Sequence, residues 1–135
     1  MSTFPLKIVT PDGLLFDGEA EKVIVRTSEG DMAILARHIN CVAPLGMGRA
    51  TVVDSDGNRR YAACIGGMLA VQNGEVSLVP TTFEWAESID EARAQLSLER
   101  AEKVLNSKEA SAVDLKLAEA RLHRALVRKS VASYK

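Results

Sequence analysis

The chain has 135 residues, of which 47% are hydrophobic, 26% charged and 4% aromatic, and its formal net charge is −1. That is apolar material for one compact domain, or for a small domain with an appendage, while the balanced charge and scarce rings argue against a nucleic-acid surface or a base-stacking platform. No apolar run approaches the roughly 20 residues of a membrane span, and Met1-Ser2-Thr3-Phe4-Pro5 resembles neither a secretory leader nor an Arg-rich transit peptide, so the chain is expected to stay in the compartment where it is made.

From Leu6 to about Phe83 the pattern is that of strands. Leu6-Lys7-Ile8-Val9-Thr10 alternates and is stopped by Pro11-Asp12-Gly13, where Pro sets one φ and Gly supplies a positive one. Leu14-Leu15-Phe16 is followed by a break at Asp17-Gly18. Glu21–Thr27 is a further short strand, closed by Ser28-Glu29-Gly30-Asp31. Arg49–Val53 and Arg60–Ile65 flank a turn at Asp54-Ser55-Asp56-Gly57-Asn58, and Met68–Val71 and Val76–Val79 flank Gln72-Asn73-Gly74-Glu75, whose Asn-Gly pair is a strong hairpin signal. Short strands at near-regular spacing predict an antiparallel sandwich or barrel.

After Trp85 the punctuation disappears. No Gly or Pro occurs from Ala86 to Lys135, and Ala, Leu, Glu, Lys and Arg dominate. Ser88-Ile89-Asp90-Glu91 reads as a capping box with Ser88 at the N-cap. Ala94, Leu98, Ala101 and Leu105 then form one helical face. Asn106-Ser107-Lys108-Glu109 interrupts it, Ser111–Asp114 caps a second helix, and Leu115, Ala118, Leu122, Ala125 and Leu126 form its face. The prediction is an α+β chain: a β-sandwich over residues 1–87 and a two-helix antiparallel hairpin over 88–135. Its seam is Ala-rich and narrow, so the hairpin is expected to be marginally held and mobile.

A search for catalytic machinery finds no G-x-S-x-G, no P-loop, no C-x-x-C and no basic sequence neighbour of Cys41 or Cys64. His38 and His123 fall in different modules. Asp54 and Asp56 lack the further acidic ligands of a calcium loop. The chain is expected to have no catalytic residues, no metal site, no cofactor and two buried, reduced thiols. The tail carries more information. Asp90, Arg93 and Arg100 share one stripe of the first helix, and Arg121, Arg124 and Arg128 share one of the second. Folding the hairpin could bring the stripes together around an anion, or each could be an ordinary solvated face.

Four segments in order resemble the signatures of ATP synthase epsilon subunits. They are Val9–Gly13, Glu29–His38, Ile65–Val71 and Ile89-Asp90-Glu91-Ala92-Arg93-Ala94. The resemblance covers essentially the whole chain. One departure is Ala36-Arg37, where the family often has Pro-Gly before the histidine; Pro80–Trp85 is also less typical. The resemblance implies a sandwich of about ten strands that binds the gamma subunit and sits on the rotor ring of an F-type ATP synthase. A loop around Asp31 and His38 would face the ring. The helical hairpin would extend to the alpha/beta catalytic head, offering Arg121, Arg124, Arg128 and Lys129, and so inhibit ATP hydrolysis. Folded, it would hold ATP as a regulatory ligand through Glu84, Asp90, Arg93, Arg100, Arg124 and Arg128. A peripheral place at the cytoplasmic face of a bacterial cell membrane follows from the same resemblance. A free-standing adaptor or ATP sensor would share these elements.

Overall fold

The computed structural model describes residues 2–134. Two compact units meet at the Trp85–Ala86 bond. Among the described residues the first unit holds nine strands: β1 (Phe4–Thr10), β2 (Gly13–Thr27), β3 (Gly30–Leu35), β4 (Cys41–Pro44), β5 (Met47–Asp54), β6 (Arg59–Ile65), β7 (Met68–Gln72), β8 (Glu75–Val79) and β9 (Thr82–Trp85). They pair in the order β4-β7-β8-β1-β2-β5-β6-β9, with β3 also on β2.

Period-2 patterning positions these strands. Phe4, Leu6, Ile8 and Thr10 of β1 are buried while Pro5 and Lys7 are exposed, as one inward face requires. Leu69, Val71, Val76 and Leu78, from one end of the pairing order, share a core with Val52, Ala62, Cys64, Phe83 and Trp85 from the other. The sheet therefore folds over itself as a sandwich. Full burial of an aliphatic or aromatic side chain contributes about 1.5–3 kcal/mol, so this core can support the unit. Arg60 adds a lid, its guanidinium carbon 3.7 Å from the Trp85 ring centroid.

The expected break at Asp17-Gly18 is not there. β2 runs unbroken for 15 residues, and both residues pair with β1, Asp17 with Lys7 and Gly18 with Leu6. The strand serves two neighbourhoods in turn, β1 along its first part and β3 and β5 along its second, with a register shift between Ala20 and Lys22. One pairing is parallel rather than antiparallel, β1 with β8. At Asn73-Gly74 both φ angles are positive, 52° and 81°, as a two-residue hairpin turn requires. Gly66-Gly67 is a packing device. A Cβ on Gly67 would overlap the Val79 carbonyl oxygen and Pro80 Cα.

The second unit holds a short 3₁₀ turn (Ala86–Ser88), α1 (Glu91–Leu105) and α2 (Ala112–Ala132). Ser88 is not the N-cap of α1. It ends the 3₁₀ turn, the Ile89 N–H bonds to the Ala86 carbonyl at 3.2 Å, and Asp90 caps the helix by accepting from the Arg93 N–H at 3.0 Å. Burial of Ile89 moves the helix start two residues along the chain. At α2 the capping box is as expected: Ser111 Oγ accepts from the Asp114 N–H at 3.1 Å, and Asp114 Oδ2 from the Ser111 N–H at 3.3 Å. The helices pack on each other, with Ala94, Leu98 and Ala101 buried on α1 and Ala118 and Ala125 buried on α2. Leu126, expected on that seam, is 47% exposed.

Candidate functional site

A cleft of about 680 Å³ lies within the helical unit, between α1 and α2. Its cause is the Ala-rich seam. Ala101 and Ala118 line it, and their single methyl groups leave unfilled the space that longer side chains would occupy. Ser97, Arg100 and Val104 line it from α1 at i, i+3 and i+7. Leu117, Arg121, Arg124 and Arg128 line it from α2 at i, i+4, i+7 and i+11, each set a single helical stripe. Glu109 and Asp114 contribute carboxylates near the hairpin turn.

Four guanidiniums thus face two carboxylates. Asp114 also serves the capping box, and Arg124 Nε donates to the Ala120 carbonyl at 3.3 Å. Two unit charges 4 Å apart repel by about 1 kcal/mol in water and about 4 kcal/mol at an effective dielectric near 20. A cleft with this excess of cations, part of it half-buried, favours an anion. Guanidiniums arriving from two helices suit one with several oxygens.

Of the six residues expected to hold a nucleotide, Arg100, Arg124 and Arg128 line the cleft. Asp90 and Arg93 do not; the Asp90 carboxylate caps α1, and Arg93 is exposed. Glu84 belongs to the other unit, half-buried on β9 opposite Ala63. Of the four residues expected to reach the catalytic head, Arg121, Arg124 and Arg128 line the cleft, and Lys129 is exposed outside it. Ser97 and Glu109 also line the cleft and carry no signal in the sequence pattern, whereas Arg121 lies where the α2 arginine stripe places it. The usable signal was the heptad offset that places Leu117, Arg121, Arg124 and Arg128 on one face.

In the sandwich, Asp31 and His38 do not share a loop. Asp31 is the second residue of β3, and His38 lies three residues beyond its far end at Leu35, so four further residues of strand, about 13 Å, run between Asp31 and the start of the His38 loop. Arg26 Nη1 is 3.5 Å from Asp31 Oδ1, an exposed pair. His38 Nδ1 lies 2.8 Å from the Ile39 carbonyl oxygen, which assigns the proton to Nδ1, and 4.0 Å from Cys41 Sγ. Cys41 is half-buried, not buried as expected, whereas Cys64 is buried, and that burial pushes its thiol up to about 12. Asp54 Oδ1 accepts from the N–H groups of Asp56 and Asn58, both at 2.9 Å, which makes the acidic turn a self-satisfied Asx loop.

The sandwich also carries an outward apolar ridge. Pro44 pairs with Met68 and Met68 with Val79. Val9 lies one step beyond the Ile8–Leu78 pair and itself pairs with Leu14. Met68, Val79 and Leu14 are 42%, 52% and 57% exposed. In the next row, Val42–Ala70–Ser77–Lys7–Asp17 is increasingly polar. An apolar line with a polar flank is the make-up of a protein-docking surface.

Comparison with known proteins gives one family throughout. The profile of the ATP synthase delta/epsilon chain β-sandwich domain matches residues 3–86, and that of the delta/epsilon long α-helix domain matches residues 87–133. The chain is 40% identical to the ATP synthase epsilon chain of Shouchella clausii over 135 residues, covering 100% of this chain and 98% of the relative. It is 43% identical to that of Bacillus velezensis over 132 residues, covering 98% of each. Among solved structures, a chain of the Euglena gracilis mitochondrial ATP synthase assembly of OSCP, F1 and c-ring shares the fold at a TM-score of 0.85 and 23% identity, covering 100% of this chain and 83% of that one. With both of its units matched, this chain belongs to the ATP synthase delta/epsilon family, as an epsilon subunit of the F-type enzyme.

Proposed function

We propose that this subunit links the rotor to the catalytic head, and that its helical hairpin governs ATP hydrolysis according to whether the cleft is filled. The observation that carries this reading is the cleft itself, lined by guanidiniums from both helices. A polyanion held by Arg100 of α1 and Arg124 and Arg128 of α2 binds only when the hairpin is folded, so ligand and conformation are linked. ATP has the required anionic chain. When the hairpin opens, Arg121, Arg124, Arg128 and Lys129 become available to an acidic surface of the alpha/beta head, where partly desolvated charge pairs hold the extended helix and stop hydrolysis. Asp90 and Arg93, at the start of α1, act on the nucleotide from outside the cleft lining, Asp90 by orienting arginines or meeting the base and ribose and Arg93 by adding positive charge.

In this reading the sandwich is the fixed end. Its ridge of Pro44, Met68, Val79, Val9 and Leu14 docks on the gamma subunit. The Asp31 turn and the His38 loop are two separate contacts to the rotor ring. The membrane association of the subunit then comes through the complex, at the cytoplasmic face. Reconstitution tests the division of labour. A chain truncated after Glu87 should assemble with alpha, beta and gamma and leave hydrolysis uninhibited, whereas the full chain should inhibit it. Failure of the truncated chain to assemble, or equal hydrolysis with both, would reject the reading.

A further inference from the structure

We infer that Arg121 is a phosphate-binding residue of the hairpin cleft, acting with Arg100 from the opposite wall. The inference rests on the nucleotide reading above and adds to it a residue outside the set that the family pattern supplies. Three observations carry it. First, Arg121 lines the cleft on the same stripe of α2 as Arg124 and Arg128, at i, i+3 and i+7, so its guanidinium emerges where theirs do. Second, the cleft arginines differ in their existing commitments. Arg124 spends its Nε on the Ala120 carbonyl, and Arg128 already has a partner. Arg100 and Arg121 have no side-chain hydrogen bond, ion pair or ring contact among the described residues, so all their donors remain for a ligand. Third, the wall position expected for Arg93 is absent from the cleft lining, where α1 offers Arg100 as its arginine. A chain of phosphates needs donors along its length from both sides; Arg100 is the donor of the α1 wall, and Arg121 extends the α2 row of Arg124 and Arg128.

The ligand chemistry this requires is a linear polyphosphate, whose oxygens accept the paired N–H groups of a guanidinium. A nucleoside triphosphate and inorganic triphosphate both present it. Glu109 and Asp114 at the turn end of the cleft repel the chain and direct it toward the arginine end. Arg121 is exposed, so replacing it leaves the seam and the caps in place.

The test is calorimetric titration of the full chain with ATP and, separately, with inorganic triphosphate, at low and moderate salt, using wild type, R121Q, R121K and R100Q. Far-UV circular dichroism checks that each variant keeps its helices. R121Q should weaken binding about ten- to a hundredfold, the effect of losing one charge-assisted phosphate contact, and should flatten the salt dependence. R121K should recover part of the affinity and of that salt dependence, which a merely structural role would not do. Weakening of ATP and triphosphate together supports the inference with either source as ligand; weakening of ATP, with triphosphate unbound by wild type, supports it with the nucleotide as the source. R121Q binding as wild type while R100Q is weakened overturns the role of Arg121 and leaves the nucleotide site standing. No binding of either ligand by wild type at millimolar concentration overturns the site itself, and Arg121 with it.

Discussion

Overpacking the hairpin seam should separate the nucleotide from its site without touching a charged residue. Ala125 is 1% exposed and lies seven residues beyond cleft-lining Ala118, on the same face of α2, yet does not itself line the cleft. Ala125→Leu forces three further carbon atoms into that packed position. Such insertions cost about 1–3 kcal/mol, and since about 1.4 kcal/mol is a factor of ten, the folded hairpin becomes about 5- to 150-fold less populated relative to the open one. Leu is nearly as good a helix former as Ala, so α2 itself persists. Hydrogen exchange of amides flanking the seam should lose protection by that factor. ATP affinity should fall by however much of the shift exceeds the hairpin's own reserve, because apparent affinity scales with the folded fraction. Ala112→Leu, at an exposed position of the same helix, is the control and should change neither. If exchange shows that the open hairpin has become the majority form in Ala125→Leu and the ATP affinity does not move, nucleotide binding does not require the folded hairpin and the proposed linkage is wrong.

Four further outcomes are expected. Replacing Arg121, Arg124, Arg128 and Lys129 together with Ala should relieve inhibition of hydrolysis in the reassembled complex, and unchanged inhibition would remove electrostatics from the mechanism. Arg37 holds φ at +68° without being glycine. A left-handed residue costs about 1–2 kcal/mol, and glycine returns part of that as unfolded-chain entropy, so Arg37→Gly should raise the unfolding free energy by up to about 1 kcal/mol, read as a higher urea midpoint at unchanged slope; a lowered midpoint would show that the Arg37 side chain itself stabilises the loop. An aromatic disulfide reagent at pH 8 should label Cys41 rapidly and Cys64 only on unfolding, and equal rates would contradict the burial. Because the Cys64 thiol rises from 9.0 to about 12 on folding, the native state holds that proton between those values while the unfolded state loses it. Stability from this group is therefore complete below pH 9 and declines as pH rises through the window, by up to about 1.4 kcal/mol per pH unit.

Local rules written in short stretches were legible from the sequence alone. The Asn73-Gly74 turn, the Ser111–Asp114 capping box, the alternation of β1 and the loss of Gly and Pro after Trp85 each depend on residues within a few positions of one another. The side chain or backbone that decides each conformation is therefore present in the string itself. The same holds for the arginine stripes, because helical periodicity assigns their faces. Other features depended on partners distant in sequence. Asp17-Gly18 looks like a break, but β1 supplies a ladder that carries the strand through it. β4 and β9 are four residues each, and their identity comes from the strands that they join, β4 on β7 and β9 on β6. The start of α1 moved from Ser88 to Asp90 because Ile89 is buried, a demand that no capping rule contains. The cleft is likewise tertiary. Periodicity places Arg100 and Arg121 on stripes of two helices, but only the packing of α1 on α2 across alanine methyls decides that both stripes line one cavity, and that Asp90 and Arg93 do not.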